Sequence, residues 1–193
     1  MDGAEKKEET VLAVTARETA PSPVTVLEQM FSDYHDLVYR TAYRVTGNSS
    51  DAEDILQSVF LRLVRQDALP ELGGSASSYF RRAAINAAID QLRSLHSSRR
   101  VPLDEVEMHL EDGPASNPDH RMMAKEIRGF LRKSVADLKP RDAEIFVLSA
   151  FEGYGNKEIA ALVDLPHTTV AVLLHRIRTR LLNDMRLFLG GEL

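Results

Sequence analysis

Asn156 to His175, NKEIAALVDLPHTTVAVLLH, is the stretch that most constrains what this chain can fold into. It predicts a short helix, a tight turn at Asp164, Leu165 and Pro166, and a second helix. Ala160 stands where the first helix must pass close to the second. Val170 stands where the second helix returns into the shared core. The turn of such a unit usually carries Gly. Here Asp164 takes that place, and Asp tolerates the left-handed conformation better than most residues. In a helix-turn-helix the second helix lies in the DNA major groove and its early residues meet base edges. An ordinary helical hairpin that touches no nucleic acid has the same spacing.

A net charge of −5 sits badly with nucleic-acid binding until it is divided along the chain. Residues 77–100 hold five bases and one acid, and residues 121–193 hold twelve and nine. Between them, residues 101–120 hold six acids and no base. Residues 1–23 and 24–76 are each acidic, by two and four charges. The local field, not the total charge, decides whether phosphates are attracted. Segmental imbalance of this size also occurs in proteins with no anionic partner.

Several classes of chemistry find no support. The chain has no Cys, which removes disulfides, thiolate metal sites and cysteine nucleophiles and fits a reducing, cytoplasmic setting. His35, His96, His109, His120, His167 and His175 form no metal-ligand spacing, and no glycine-rich phosphate loop or nucleophile elbow occurs. Neither metal nor cofactor is expected, and no catalytic residue. No apolar run reaches membrane-spanning length, and the acidic start MDGAEKKEETVLAV is unlike a secretory signal.

The rest of the chain reads as helices. Residues 1–23 are expected to be a disordered tail. From Val24 to Val45 apolar residues recur at three and four, until Gly47-Asn48 offers a left-handed stop. Ser50-Asp51-Ala52-Glu53 then suggests a capping box, followed by an apolar face of Ile55, Leu56, Val59, Phe60, Leu63 and Val64. The acids at the start of this helix suit its dipole, and the same exposed residues could form a docking face. QDALPELGGSA, residues 66–76, reads as a loop.

Ser77 to Leu95 reads as a helix with Phe80, Ala84, Ile85, Ala88, Ile89 and Leu92 facing a core. Arg82, Asn86, Asp90 and Arg93 fall on one polar stripe, suited to phosphates and base edges or simply to solvent. Residues 96–120 read as a flexible acidic linker. A helix over Met123, Ile127, Phe130, Leu131, Val135 and Leu138 stops at Pro140. The next, Arg141 to Phe151, turns Ile145, Phe146, Leu148 and Ala150 inward. Arg176, Arg178 and Arg180 cluster on the last helix. The fold class is all-α, with two small helical domains, 24–95 and 121–193.

Three motifs in this order resemble a bacterial sigma factor of the extracytoplasmic-function group, in the sigma-70 family. Asp51–Val64, DAEDILQSVFLRLV, is similar to that family's core-polymerase-binding segment. Tyr79–Asp90, YFRRAAINAAID, is similar to its promoter-melting helix. Leu138–Arg141 through Glu152-Gly153-Tyr154 and Lys157–Ala160 resemble the opening of sigma region four. The resemblance implies sigma region two over 24–95 and region four over 121–193. It implies a transcription initiation factor that binds core RNA polymerase and promoter DNA and answers to an anti-sigma protein.

Carried onto this sequence, the resemblance places Asp51, Glu53, Asp54, Gln57 and Phe60 at the polymerase. It places Tyr79, Arg82, Asn86, Asp90 and Arg93 near the −10 element. His167, Thr168, Thr169, Ala171, Val172, His175, Arg176 and Arg178 would lie on the helix that reads the −35 element.

Departures from the family pattern carry expectations of their own. Tyr79 stands for a usual Trp and keeps an aromatic platform, while Ile85 replaces a common Arg and removes a phosphate contact. Thr169-Val170-Ala171-Val172-Leu173-Leu174 is apolar where the family often shows polar and basic residues. Ala and Val can touch a thymine methyl but cannot make the bidentate bonds that select guanine, so shape and phosphate contacts gain weight. Two other functions remain compatible with the sequence. One is a helix-turn-helix regulator that never engages polymerase. The other is a sigma-factor mimic that binds an antagonist without starting transcription. A compact free form would hide the DNA-facing surfaces.

Overall fold

A computed structural model describes residues 22–65, 76–98 and 118–190 of the chain. They contain seven helices and no strand: α1 Pro23–Thr46, α2 Ser49–Val64, α3 Ala76–Ser98, α4 Pro118–Ala136, α5 Pro140–Ala150, α6 Asn156–Val163 and α7 His167–Phe188. The expected all-helical class holds over these residues. The expected tail, loop and most of the linker, at 1–21, 66–75 and 99–117, lie outside them. Residues 34–193 form one compact unit, and residues 1–33 are grouped apart. In the described part of that first group, Ser22 caps α1, its Oγ accepting from the Thr25 N–H at 3.2 Å.

Helix ends follow local chemistry. Gly47, with φ 64°, ends α1. Asn48 caps α2, its side chain accepting from the Asp51 N–H at 3.0 Å. The capping box expected at Ser50–Glu53 is therefore displaced, because Asn48 reaches the first-turn N–H from an extended backbone, φ −132° and ψ 129°. Helix α3 runs on to Ser98 and α4 begins at Pro118, so both ends of the expected linker are helical. Pro140 does more than stop the helix before it. It occupies the first turn of α5, where its missing N–H costs nothing.

The helix-turn-helix forms as its residues predict. Asp164 adopts the left-handed conformation, φ 51° and ψ 60°, and the Leu165 N–H donates to the Ala160 carbonyl at 3.1 Å. Glu158 reaches back to the Gly155 N–H at 2.8 Å and holds the start of α6. Val170 is fully buried, with Leu174, Ile177 and Leu181 on the same face of α7.

Helix α3 packs against α2, α4 and α5. Its Phe80 is wholly buried at the centre of an aromatic stack, 4.6 Å from the Tyr34 ring and 5.3 Å from Phe60. Burial of such a ring contributes about 1.5–3 kcal/mol. Ala84, Ile85, Ala88 and Ile89 continue the buried face of α3, and Val59 and Leu63 of α2 and Val38, Ala42 and Val45 of α1 are buried as well. Helices α5, α6 and α7 share a second apolar centre around Ile145, Leu148, Ile159 and Leu174. Four apolar expectations fail: Phe31 in the repeat of α1, Val64, Met123 and Ala150 are exposed.

Candidate nucleic-acid interface

The α2 face divides into exposed and packed residues. Glu53, Asp54 and Gln57 are exposed on one side of the helix. Asp51 is half-buried and accepts from Gln91 Nε2 of α3 at 3.1 Å. Phe60 belongs to the core, so its ring is not part of the exposed face expected from the sequence. Its place in the apolar repeat with Val59 and Leu63 already carried that signal.

The stripe on α3 forms but does not lie open. Tyr79 is half-buried, set edge-on to Phe80 at 5.5 Å. Arg82 Nε donates to Glu144 Oε1 of α5 at 2.6 Å. Arg93 reaches past the end of α4, its Nε donating to the Ala136 carbonyl at 3.3 Å and its Nη2 to the Leu138 carbonyl at 3.0 Å. A cation there also complements the helix dipole. Asn86 and Asp90 are exposed. All four line an open groove of about 510 Å³ whose other wall includes Pro140, Arg141 and Glu144.

A second charged cluster sits beside this groove and was not singled out from the sequence. Arg44 of α1 donates to Glu152 Oε1 at 2.9 Å, and Arg81 of α3 pairs with Glu152 Oε2. The Glu152 side chain is fully buried, and the Arg81 guanidinium also lies 5.5 Å from the Tyr154 ring centroid. In return, Arg132 of α4 donates to the Val45 carbonyl at the end of α1, at 3.1 Å. Burial, then neighbouring Arg128, pushes the Arg132 guanidinium below its ordinary value, with Tyr43 opposing. For the neighbouring Arg82–Glu144 pair the sequence held one signal, an acid inside the apolar run Ala143–Leu148, and none for the Glu152 cluster.

The α7 face is open by contrast. His167, Thr168 and Thr169 occupy its exposed first turn, and no side chain caps that end. Val172 is 67% exposed and His175 is exposed, with Ala171 half-buried beside them. This face is opposite the buried Val170, Leu174 and Ile177. Arg176 is well exposed and only loosely paired, 3.6 Å from Asp142. Arg178 donates to Ser149 Oγ at 2.9 Å. Among the described residues no group of three His, Asp or Glu is placed to hold a metal ion. No described helix is long and apolar enough to cross a membrane.

Comparison with known proteins places the two ends of the chain separately. The model for sigma-70 region 2 matches residues 30–98, and that for sigma-70 region 4 matches residues 131–181. The ECF RNA polymerase sigma factor SigE of Mycolicibacterium smegmatis is 28% identical over 158 residues, covering 80% of this chain and 59% of that protein. SigW of Bacillus subtilis is 24% identical over 79% of this chain and 85% of its own length. The ECF RNA polymerase sigma-E factor of Escherichia coli is 30% identical over 72% of this chain and 75% of its own length. Among solved structures, the sigma factor RpoE in complex with the anti-sigma factor NepR from Bartonella quintana gives a TM-score of 0.49 at 18% identity, covering 82% of this chain and 96% of that one.

Proposed function

The chain belongs to the extracytoplasmic-function RNA polymerase sigma factors of the sigma-70 family, and from that membership we propose how its surfaces divide the work of starting transcription. It is a transcription initiation factor that brings core RNA polymerase to promoters. The observation that carries this reading is the order of the two matched regions, region 2 before region 4, on one chain. Its partners are core polymerase, promoter DNA and an anti-sigma protein, and it works in the cytoplasm. Its relatives are sigma factors, which are not enzymes. Polymerisation chemistry belongs to the polymerase, and this chain contributes no catalytic residue, metal or cofactor.

Residues 24–95 serve as the polymerase- and −10-binding half, and residues 121–193 as the −35-binding half. Glu53, Asp54 and Gln57 meet the polymerase, and Asp51 holds their helix against α3 through Gln91. Tyr79, Arg82, Asn86, Asp90 and Arg93 face the −10 element and its separated strand. His167, Thr168, Thr169, Ala171, Val172, His175, Arg176 and Arg178 face the −35 element. Weak binding by each half suits the task, because phosphate contacts alone would hold the factor on bulk DNA. Polymerase supplies specificity by fixing the distance between two weak readers, which raises the effective concentration of the second.

Reconstituted transcription tests this. Purified chain added to core polymerase with a promoter library should give discrete, factor-dependent starts with shared upstream sequences. Core binding without initiation would favour the mimic. Absence of core binding by the folded chain would leave only a helix-turn-helix regulator.

A further inference from the structure

A carboxylate of the second half already occupies Arg82, which the first half would turn toward DNA, and another holds the neighbouring Arg81 together with Arg44. We propose that Glu144 and Glu152 form a latch that holds the free factor shut, standing where promoter phosphates would stand. The proposal rests on α3 being the promoter-facing helix.

Three arginines of α1 and α3 are engaged by two glutamates of α5 and the turn after it. Arg82 pairs with Glu144, and Arg44 and Arg81 converge on Glu152. A guanidinium offers carboxylate and phosphate the same forked donors, so an acid in this place competes directly with DNA. The competitor is well protected. The Glu152 side chain is fully buried, that of Glu144 is 9% exposed and that of Arg81 is 20% exposed. Salt screens such pairs much less than it screens exposed charges, so raising ionic strength alone is a poor key.

Cations also cross in both directions. Arg93 of α3 donates to the Ala136 and Leu138 carbonyls, while Arg132 of α4 donates to the Val45 carbonyl. Charged pairs of this kind add little stability over an apolar contact, but they fix one arrangement of the two surfaces. Glu144 illustrates the point, since an apolar residue would suit the run Ala143–Leu148 better than an acid.

The latch acts on one reader only. The exposed Thr168, Val172 and His175 of α7 stay open while Arg82 and Arg93 of α3 are engaged. The free chain therefore retains upstream-duplex contacts and withholds strand capture. A partner that parts α3 from α5 releases both.

The absence of cysteine permits a clean distance measurement. Arg62→Cys and Lys157→Cys, both at exposed positions, would carry a donor and an acceptor dye. The variants are Glu144→Gln, Glu152→Gln and their double, with Asp36→Asn at an exposed pair on α1 as control. Circular dichroism checks that each is folded. Each protein is titrated with a single-stranded promoter oligonucleotide and, separately, with an upstream duplex. If about nine chains in ten are closed, opening raises apparent single-strand affinity about tenfold.

The double variant should lose energy transfer and gain that affinity, with duplex affinity changed less than about twofold and the control unchanged. Undiminished energy transfer in a folded double variant overturns the latch. Lost energy transfer without a gain in single-strand affinity overturns the masking. Failure of the wild-type chain to initiate with core polymerase is read in the transcription assay and bears on the sigma reading, not on the opening measured by the dyes.

Discussion

Two helices of this chain carry stripes proposed to face DNA and meet opposite fates. On α3, Arg82 and Arg93 are engaged by Glu144 and by the carbonyls beyond α4. On α7, Thr168, Val172 and His175 are exposed. Both stripes lie opposite a well-packed apolar face, so burial does not explain the difference. The acceptors set against them do: α3 meets the Glu144 carboxylate and the carbonyls beyond α4. A polar stripe in a sequence thus marks a surface able to bind, and its partner's charge decides whether the free chain offers it.

The comparison breaks most completely where α3 loses its footing. Phe80→Ala removes the ring at the centre of the stack with Tyr34 and Phe60, and should lower unfolding free energy by about 3–5 kcal/mol. Urea titration followed by circular dichroism measures it. A loss below about 1 kcal/mol would mean that the stack does not set the position of Arg81 and Arg82.

The matching break on the other side is smaller, because the α6–α7 turn depends on one backbone conformation rather than a ring. Asp164→Val forces a β-branched residue to φ 51° and should destabilise by about 1–2 kcal/mol, whereas Asp164→Asn should be nearly neutral. Equal unfolding midpoints for the two variants would show that the turn does not need a residue tolerant of that conformation.

This contrast also explains what was legible in the sequence. The α6–α7 unit depends on contacts a few residues apart, so Ala160, Asp164 and Val170 predicted it. The apolar repeats of α1, α2 and α3 likewise predicted most of the core. The order of the motifs pointed to a sigma factor. Pairings across long separations were not legible. Arg44 and Arg81 meet an acid 108 and 71 residues away, and no local pattern announces that. Phe60 carried two readings, an apolar repeat that points to the core and a resemblance that points to the docking face, and its packing against Phe80 sets it in the core. Asn48 outcompeted Ser50 as cap because the preceding Gly47 ends α1 early enough to free it.

Arginine truncation sharpens the comparison directly. Arg176→Ala should weaken duplex binding alike across sequences and reduce the salt slope by about 1, as loss of one phosphate contact does. Arg82→Ala in the free chain should leave single-strand binding almost unchanged, since the lost phosphate donor is offset by the loosening of a latch that has lost the partner of Glu144. The same change in a Glu144→Gln, Glu152→Gln background should weaken it. Fluorescence anisotropy over a salt series checks both. A strong effect of Arg82→Ala in the otherwise unaltered chain would place the α3 face on the open side with α7.

The smallest effect concerns how the open face reads sequence. Val172 is 67% exposed in the middle of the α7 strip, with Thr168 before it and His175 after it. An apolar side chain there has no donor for guanine or acceptor for cytosine, so its useful contact is a thymine methyl. Val172→Ala should leave stability within about 0.5 kcal/mol, because the residue supports no core. In polymerase-directed transcription it should reduce the preference for thymine over uracil at one upstream position, since uracil lacks only that methyl. Substituting uracil one base at a time through the upstream element finds the position. If every substitution lowers initiation equally for the wild-type chain and the Val172→Ala variant, Val172 does not read a methyl. The open face would then work through phosphates alone, and the two helices would differ in access but not in kind.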